Sequence, residues 1–311
     1  ETEDSVDMIL IAKDRFPVNI HLDFNSRNYH RTCTIRGTKG NLIWDIYEKI
    51  ILEAEKYNCP SIEPQGTNEP LLDQNLENYI KFASDHGFID IMMNTNATVL
   101  TESRSRSLLK SGITRLRFSL DAATKETYEK VRLGGKYETT IQNIENFLKI
   151  RKEENNQLPV VGVNFCKLSY NEHEEEKFVE NWIDKVDFIV IQEFQPPELE
   201  HSYNELLPST SKYREKIVSE FHCQQPWQRV VITNKGEVCP CCAFFRTELS
   251  LGNIKDQSIH YYWNSQEMKN LRKIHKNGNF KENEWCKKCV NRICGIFDKD
   301  DPLIQINNNF K

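Results

Sequence analysis

Seven of the ten cysteines fall in the last third of the chain: Cys223, Cys239, Cys241, Cys242, Cys286, Cys289 and Cys294. Two thiolates two residues apart, as in Cys286-Lys-Lys-Cys289, can grip one metal centre from a single turn. A distant pair held by a strand hairpin can supply the rest. Cys223 is followed after twelve residues by Gly236, and Gly236 after four more by Cys241. Four thiolates suit a [4Fe-4S] cluster or a tetrahedral zinc ion. The competing reading, buried cysteines serving as small hydrophobes, fits such paired spacing poorly. Cys59 and Cys166 lie near expected strands and read as core thiols.

A second set of reactive residues follows the strand-like segments. These are Glu69, Asn94, Asn96, Ser119, Asp121, Asn171, Glu172, Gln192 and Glu193. The elements that would position them alternate regularly. Strands are expected at 18–23, 61–63, 88–93, 113–120, 159–165 and 187–194. Helices are expected at 42–57, 76–86, 101–111, 124–131, 137–153 and 172–183. Such alternation implies a parallel sheet with crossover helices outside it. Ligands of parallel α/β folds sit at the carboxyl ends of the strands. Taken singly, each of these polar residues is more often a turn former or a helix cap than a ligand contact. Their repetition points to one shared site.

Composition narrows the class. The chain has 311 residues, enough for one large domain and a small one, with 28% charged residues and a net charge of -5. That balance argues against non-specific nucleic-acid binding, which requires a basic face. No apolar run reaches the ~18 residues of a membrane span, and no signal peptide is expected. A cytoplasmic protein is expected, where cysteines serve as metal ligands more often than as disulfides. The acidic start, Glu1 to Asp7, is expected to be frayed.

Several fragments in order resemble the radical S-adenosylmethionine (SAM) superfamily with a C-terminal SPASM or twitch extension. Thr67-Asn68-Glu69-Pro70 resembles the family's Gly-Gly-Glu-Pro motif, which receives the amino group of the cofactor. Thr95-Asn96-Ala97 stands where the family often has Thr-Asn-Gly. The segments from Arg117 to Asp121 and from Glu126 to Arg132 resemble the fourth strand and its helix. Cys223, Gly236, Cys241, Cys286 and Cys289 fit the extension, as does Leu251-Gly-Asn-Ile254. The resemblance implies an α/β fold: a partial (β/α)6 parallel barrel over 15–200, then a small α+β iron–sulfur domain over 223–297. A flexible N-terminus (1–14), a connecting helix (201–222) and a C-terminal tail (298–311) complete the expected layout. It further implies one [4Fe-4S] cluster, or alternatively zinc, on Cys223, Cys241, Cys286 and Cys289, with Cys242 able to exchange with Cys241. SAM or a similar ligand would meet Thr67, Asn68, Glu69, Asn96, Ser119, Asp121 and Asn171.

One departure outweighs the agreements. The family places Cys-x-x-x-Cys-x-x-Cys after its first strand, and those thiolates hold the cluster that binds and reduces SAM. Here the stretch from Asn28 to Arg36 contains only Cys33. Aligning on Cys33 puts Tyr29 and Arg36 at the other positions, and shifting by one leaves Asn28, Thr32 and Ile35. None of these side chains holds an iron–sulfur cluster. Conventional radical activity is therefore not expected. Arg36 or Arg31 would face a ligand carboxylate in place of iron, unless this basic loop is simply solvated. Three classes follow: a partner or ligand-binding subunit without radical chemistry, an enzyme using SAM for polar chemistry, and an active enzyme with unusual cluster ligands. Sugars, peptides and natural products are the implied substrates. Trp227, Phe244, Phe245, Tyr261, Tyr262 and Trp263 would form either a substrate platform or the core of the small domain.

Overall fold

The computed structural model describes residues 5–11, 17–23, 36–37, 40–66, 68–194, 205–209, 223–243 and 246–293. Five strands form one parallel sheet in chain order: β5 Ser61–Ile62, β6 Asp90–Thr95, β7 Arg115–Ser119, β8 Val160–Lys167 and β9 Phe188–Glu193. Parallel neighbours need crossover connections. These are α2 Leu76–Asp85, α3 Glu102–Lys110, α4 Lys125–Val131 with α5 Tyr137–Glu153, and α6 Glu175–Trp182. Threonine hydroxyls start two of them. Thr101 accepts from the Arg104 N–H and Thr124 from the Thr127 N–H, each relieving an unpaired donor of the first turn.

Side chains alternate across a strand, so the sheet has two different faces. Ile91, Met93, Leu116, Phe118, Val161, Val163 and Phe165 are buried on one face, against Ile80, Leu108, Ile144, Phe147 and Phe178 of the helices. The other face carries Asn94, Arg117, Ser119, Asn164, Cys166 and Gln192, which the register aligns across β6 to β9.

The N-terminal expectation is corrected. The strand expected at 18–23 does not open the parallel sheet. β2 Pro17–Asp23 pairs antiparallel with β1 Ser5–Ile11, and β3 Arg36–Gly37 and β4 Gly40–Asn41 extend this separate sheet. Its register sets Val6 against Leu22, Met8 against Ile20 and Leu10 against Val18. Ser5–Ile11 thus forms a strand where a flexible terminus was expected. The parallel sheet therefore has five strands among the described residues rather than six. The connecting helix at 201–222, apart from 205–209, and the tail at 298–311 lie outside the described residues.

The small C-terminal unit is α+β, as expected. β10 Val231–Ile232, β11 Glu237–Cys239 and β12 Gly252–Asn253 form an antiparallel sheet. With it come α7 Gln225–Gln228, α8 Ile259–Trp263, α9 Gln266–Lys276 and α10 Glu284–Ile293. The turn between β10 and β11 needs Gly236, whose φ is 84°. Helix α1, Leu42–Lys56, joins the two units. Its Ile46 and Ile50 pack on buried Val238, Ile254 and Tyr262. Lys49 Nζ donates to the Ile254 carbonyl at 2.7 Å, and Glu53 accepts from the His260 N–H at 2.8 Å. Tyr262 is therefore core, whereas Tyr261 and Trp227 are exposed. Phe244 and Phe245 lie outside the described residues. No described helix is long and apolar enough to cross a membrane.

Gly162 of β8 tests the inner face. It aligns with Phe188, and a Cβ at Gly162 would clash with the edge of the Phe188 ring at Cε2. We expect Gly162→Ala to cost about 1–3 kcal/mol in urea unfolding. An unchanged midpoint would mean that the ring moves aside freely.

Candidate ligand rim and cluster site

At the carboxyl end of β6, Glu69 ties the preceding loop to the strand. Its Oε1 accepts from the Thr95 hydroxyl at 2.6 Å and the Leu71 N–H at 3.1 Å, and its Oε2 accepts from the Asn96 N–H at 2.7 Å. A carboxylate has about four acceptor positions, so this one retains a single direction for a ligand ammonium. Asn96 Oδ1 accepts from the Thr98 N–H and hydroxyl, at 2.9 and 2.7 Å. Its amide nitrogen is the group left to face outward. Ala97 has a φ of 59°, a left-handed conformation that favours the glycine of the related motif. Asn68 closes a local turn by accepting from the Gly66 N–H. Thr67 lies outside the described residues.

The end of β7 is more deeply committed. Asp121 is buried, with a φ of 62°, and its carboxylate is paired with Arg132. Its other oxygen accepts from the Cys166 N–H at 2.7 Å. Burial pushes the Asp121 carboxyl above the ordinary range, while Arg132 and the Cys166 N–H pull it back. Asn171 is fully buried, and both ends of its amide bond to backbone. Its Nδ2 donates to the carbonyls of Asp121 and Cys166, and its Oδ1 accepts from the Leu168 N–H. Asp121 and Asn171 thus brace the rim. Ser119 is half-buried on the inner face, opposite Asn164.

Residues to which the sequence analysis gave no ligand role complete this arrangement, among them Cys166, which lies on the inner face rather than in the core cluster. Glu174 is buried and accepts from the N–H groups of Ala123 and Thr124 and from the Thr127 hydroxyl, with a further short contact to the Thr124 hydroxyl. On the inner face, Arg117 donates from Nε to Asn94. Burial lowers the Arg117 pKa, against the attraction of Glu63. Asn164 is 5% exposed, and its Oδ1 has no hydrogen-bond partner among the described residues. Burial and the neighbouring Asp121 push the Cys166 thiol up to about 11.

Arg36 has its backbone in β3, opposite Asn19 and Asn41, rather than in an open loop. Arg31 and Cys33 lie outside the described residues.

The thiols of the small unit share one region. Cys286 and Cys289 occupy successive turns of α10. Burial pushes the Cys286 thiol up to about 12, and the charges of Cys241, Cys289 and Cys223 push the same way. Cys241 is raised by burial and by Cys242 and Cys223. The four expected ligands therefore influence one another electrostatically. Among the described residues, no three His, Cys, Asp or Glu side chains are gathered to ion-binding distance. The chemistry of this donor set, soft thiols whose ionisation burial opposes at Cys223, Cys241 and Cys286, fits an iron–sulfur or zinc centre whose positive charge would reverse that cost. Cys242 is exposed, with its Sγ 3.6 Å from Gln225 Oε1, and Cys239 is buried at the end of β11. Cys294 lies outside the described residues.

Comparison with known proteins agrees with this layout. Residues 27–178 match the radical SAM superfamily, and residues 223–290 match the SPASM iron–sulfur cluster-binding domain. A probable GTP 3′,8-cyclase of Methanococcus maripaludis is 28% identical over 163 residues, a match covering 51% of this chain and 52% of that relative. The chain thus spans about half the length of that protein. A tungsten-containing aldehyde ferredoxin oxidoreductase cofactor-modifying protein of Pyrococcus furiosus is 23% identical over 280 residues, covering 77% of each chain. Among solved structures, native anSMEcpe with bound AdoMet and the Cp18Cys peptide shares the fold. It has a TM-score of 0.60 and 16% identity, over 86% of this chain and 91% of that one.

The Glu174 clamp predicts a pH effect. Burial opposes ionisation, but the hydroxyls of Thr124 and Thr127 and the two N–H groups hold its carboxyl below the ordinary range. A depressed folded value means stability that is full above the unfolded pKa, about 4.3, and lost as pH falls through the folded value. We expect Glu174→Gln to cost about 1–3 kcal/mol at neutral pH and to flatten this acid limb of the stability profile. Identical acid limbs in wild type and variant, compared by urea unfolding from pH 7 to pH 3, would refute the assignment.

Proposed function

From the chain's membership of the radical SAM superfamily, with a SPASM domain C-terminal to it, we propose that it retains the SPASM cluster but has lost the one that would bond to SAM. It then serves as a ligand-binding or partner subunit in the modification of sugars, peptides or natural products. One observation carries this reading. Cys33 is the only cysteine before Cys59, so the segment that should supply three thiolates supplies one. Tyr29 and Arg36, aligned at the other two positions, do not replace them.

Cys223, Cys241, Cys286 and Cys289 are the residues that would hold the SPASM cluster, supported by their shared surroundings. Such a cluster supplies one-electron transfer when bound. With four protein thiolates it offers no open iron to a sulfonium. The protein's own groups define the remaining chemistry. Glu69 keeps one acceptor direction for an ammonium, Asn96 offers an amide N–H, and Ser119 offers a hydroxyl. Arg117 and Asn164 line the face beneath them.

A second reading, polar chemistry with SAM, is favoured by one feature. The buried Asn164 Oδ1 and the half-buried Arg117 on the inner face call for a ligand with both donors and a negative group.

The test is anaerobic purification with iron and sulfide counting. About four irons per chain are expected, lost in the Cys286→Ala and Cys289→Ala variants and retained in Cys33→Ala. Reductant-dependent release of 5′-deoxyadenosine from SAM should stay at background. About eight irons per chain, halved by Cys33→Ala, would overturn the reading, and so would reductant-dependent 5′-deoxyadenosine.

A further inference from the structure

Helix α9 buries Met268, Leu271 and His275 along one side. Positions spaced in this way face a core, where a leucine or methionine would pack without cost. Instead the last of them is a histidine, 3% exposed. It adjoins a small apolar cluster of Leu271, Phe280, Cys286 and Val290. An imidazole in such surroundings is unfavourable unless its nitrogens are engaged. Its Nε2 lies 3.4 Å from Cys286 Sγ. The backbone on the other side of Cys286 is fixed as well, because its N–H donates to Asn283 Oδ1 at 3.0 Å.

We propose that His275 is a positioning residue for the SPASM cluster: its Nε2–H donates a hydrogen bond to the Cys286 thiolate and raises the reduction potential of the cluster that Cys286 ligates. The proposal rests on the reading of Cys286 as a ligand. The direction of the bond follows from chemistry. An iron-bound thiolate carries no proton and is only an acceptor, so the proton must reside on Nε2. Reduction adds one electron, and hence one negative charge, to the cluster and its four thiolates, with no atom transferred. A donor aimed at one sulfur stabilises that added charge more than the oxidised state. Hydrogen bonds to cluster sulfurs are among the factors that set such potentials. The electron comes from an external reductant, dithionite in the test below.

The full-length chain is reconstituted anaerobically with iron and sulfide, and iron content is measured first. The cluster's midpoint potential then comes from a dithionite titration followed by electron paramagnetic resonance. His275→Leu should keep the wild-type iron content and move the midpoint to more negative potential. His275→Gln places an amide N–H near the position of Nε2 and should restore most of the wild-type value. Equal potentials in wild type and His275→Leu would overturn the proposal, as would a shift of the same size in both variants. The wild type offers a check that needs no variant. Protein labelled with ¹⁵N-histidine should show an electron–nuclear coupling to the reduced cluster, and its absence would equally overturn the proposal. Loss of the ligand reading has a different signature, namely zinc or no iron in the wild type, or iron retained in Cys286→Ala.

Discussion

A parallel strand ends by releasing its backbone N–H groups into a loop, and each one that is buried must find an acceptor. Here side chains from neighbouring loops supply those acceptors. Glu69 takes the N–H groups of Leu71 and Asn96, and Asp121 takes that of Cys166. Glu174 takes those of Ala123 and Thr124, and Asn171 takes that of Leu168. Most of these bonds cross from one strand end to the next. The rim is thus a chain of clamps, and its shape depends on carboxylates and amides that never need a ligand. Losing one would leave a buried N–H unpaired, at a cost of about 1–3 kcal/mol.

Much of this architecture is legible in the sequence. The alternation of apolar strands with capped helices gives all five parallel strands and their crossovers to within a few residues, because each element buries its own periodic stripe. The direction of the first strand pairing is not legible. The pattern from Val18 to Asp23 marks a strand but carries no record of its partner, and the acidic start, Glu1 to Asp7, overlaps the strand Ser5–Ile11 that pairs with it. Side-chain fate is likewise hidden. Asp121 after a strand is the same residue type whether it meets a ribose or the Cys166 N–H. Glu174 acts on residues 47 to 51 positions earlier, beyond any local motif. His275 takes a core-facing position of its helix and stands out only through its contact with Cys286.

Helix α1 explains how the two units hold together. Tyr47, Ile51 and Ala54 face the barrel core, whereas Ile46 and Ile50 face the small unit. These are adjacent stripes of one helix, so the same fifteen residues serve as a wall for both cores. The hydrogen bonds of Lys49 and Glu53, and the stacking of Tyr57, just past the helix, on His260, run along the small-unit side. A small domain with so little apolar interior gains from such a shared wall, as it would from a metal centre.

The clamp role also changes what the rim says about function. Glu69, Asp121 and Asn171 resemble residues that hold a cofactor, yet folding alone requires each of them. Their presence is therefore no sign that the chemistry of an intact catalytic cluster persists. The inner face beneath them is different. Arg117 is partly buried at a cost its surroundings do not fully offset, and Asn164 carries an unpaired oxygen where an aliphatic side chain would pack better. Folding gives no reason for either. Groups that weaken a fold locally are expected where a protein binds something. Arg117 and Asn164, rather than the motif-like residues above them, are thus the groups that call for a ligand.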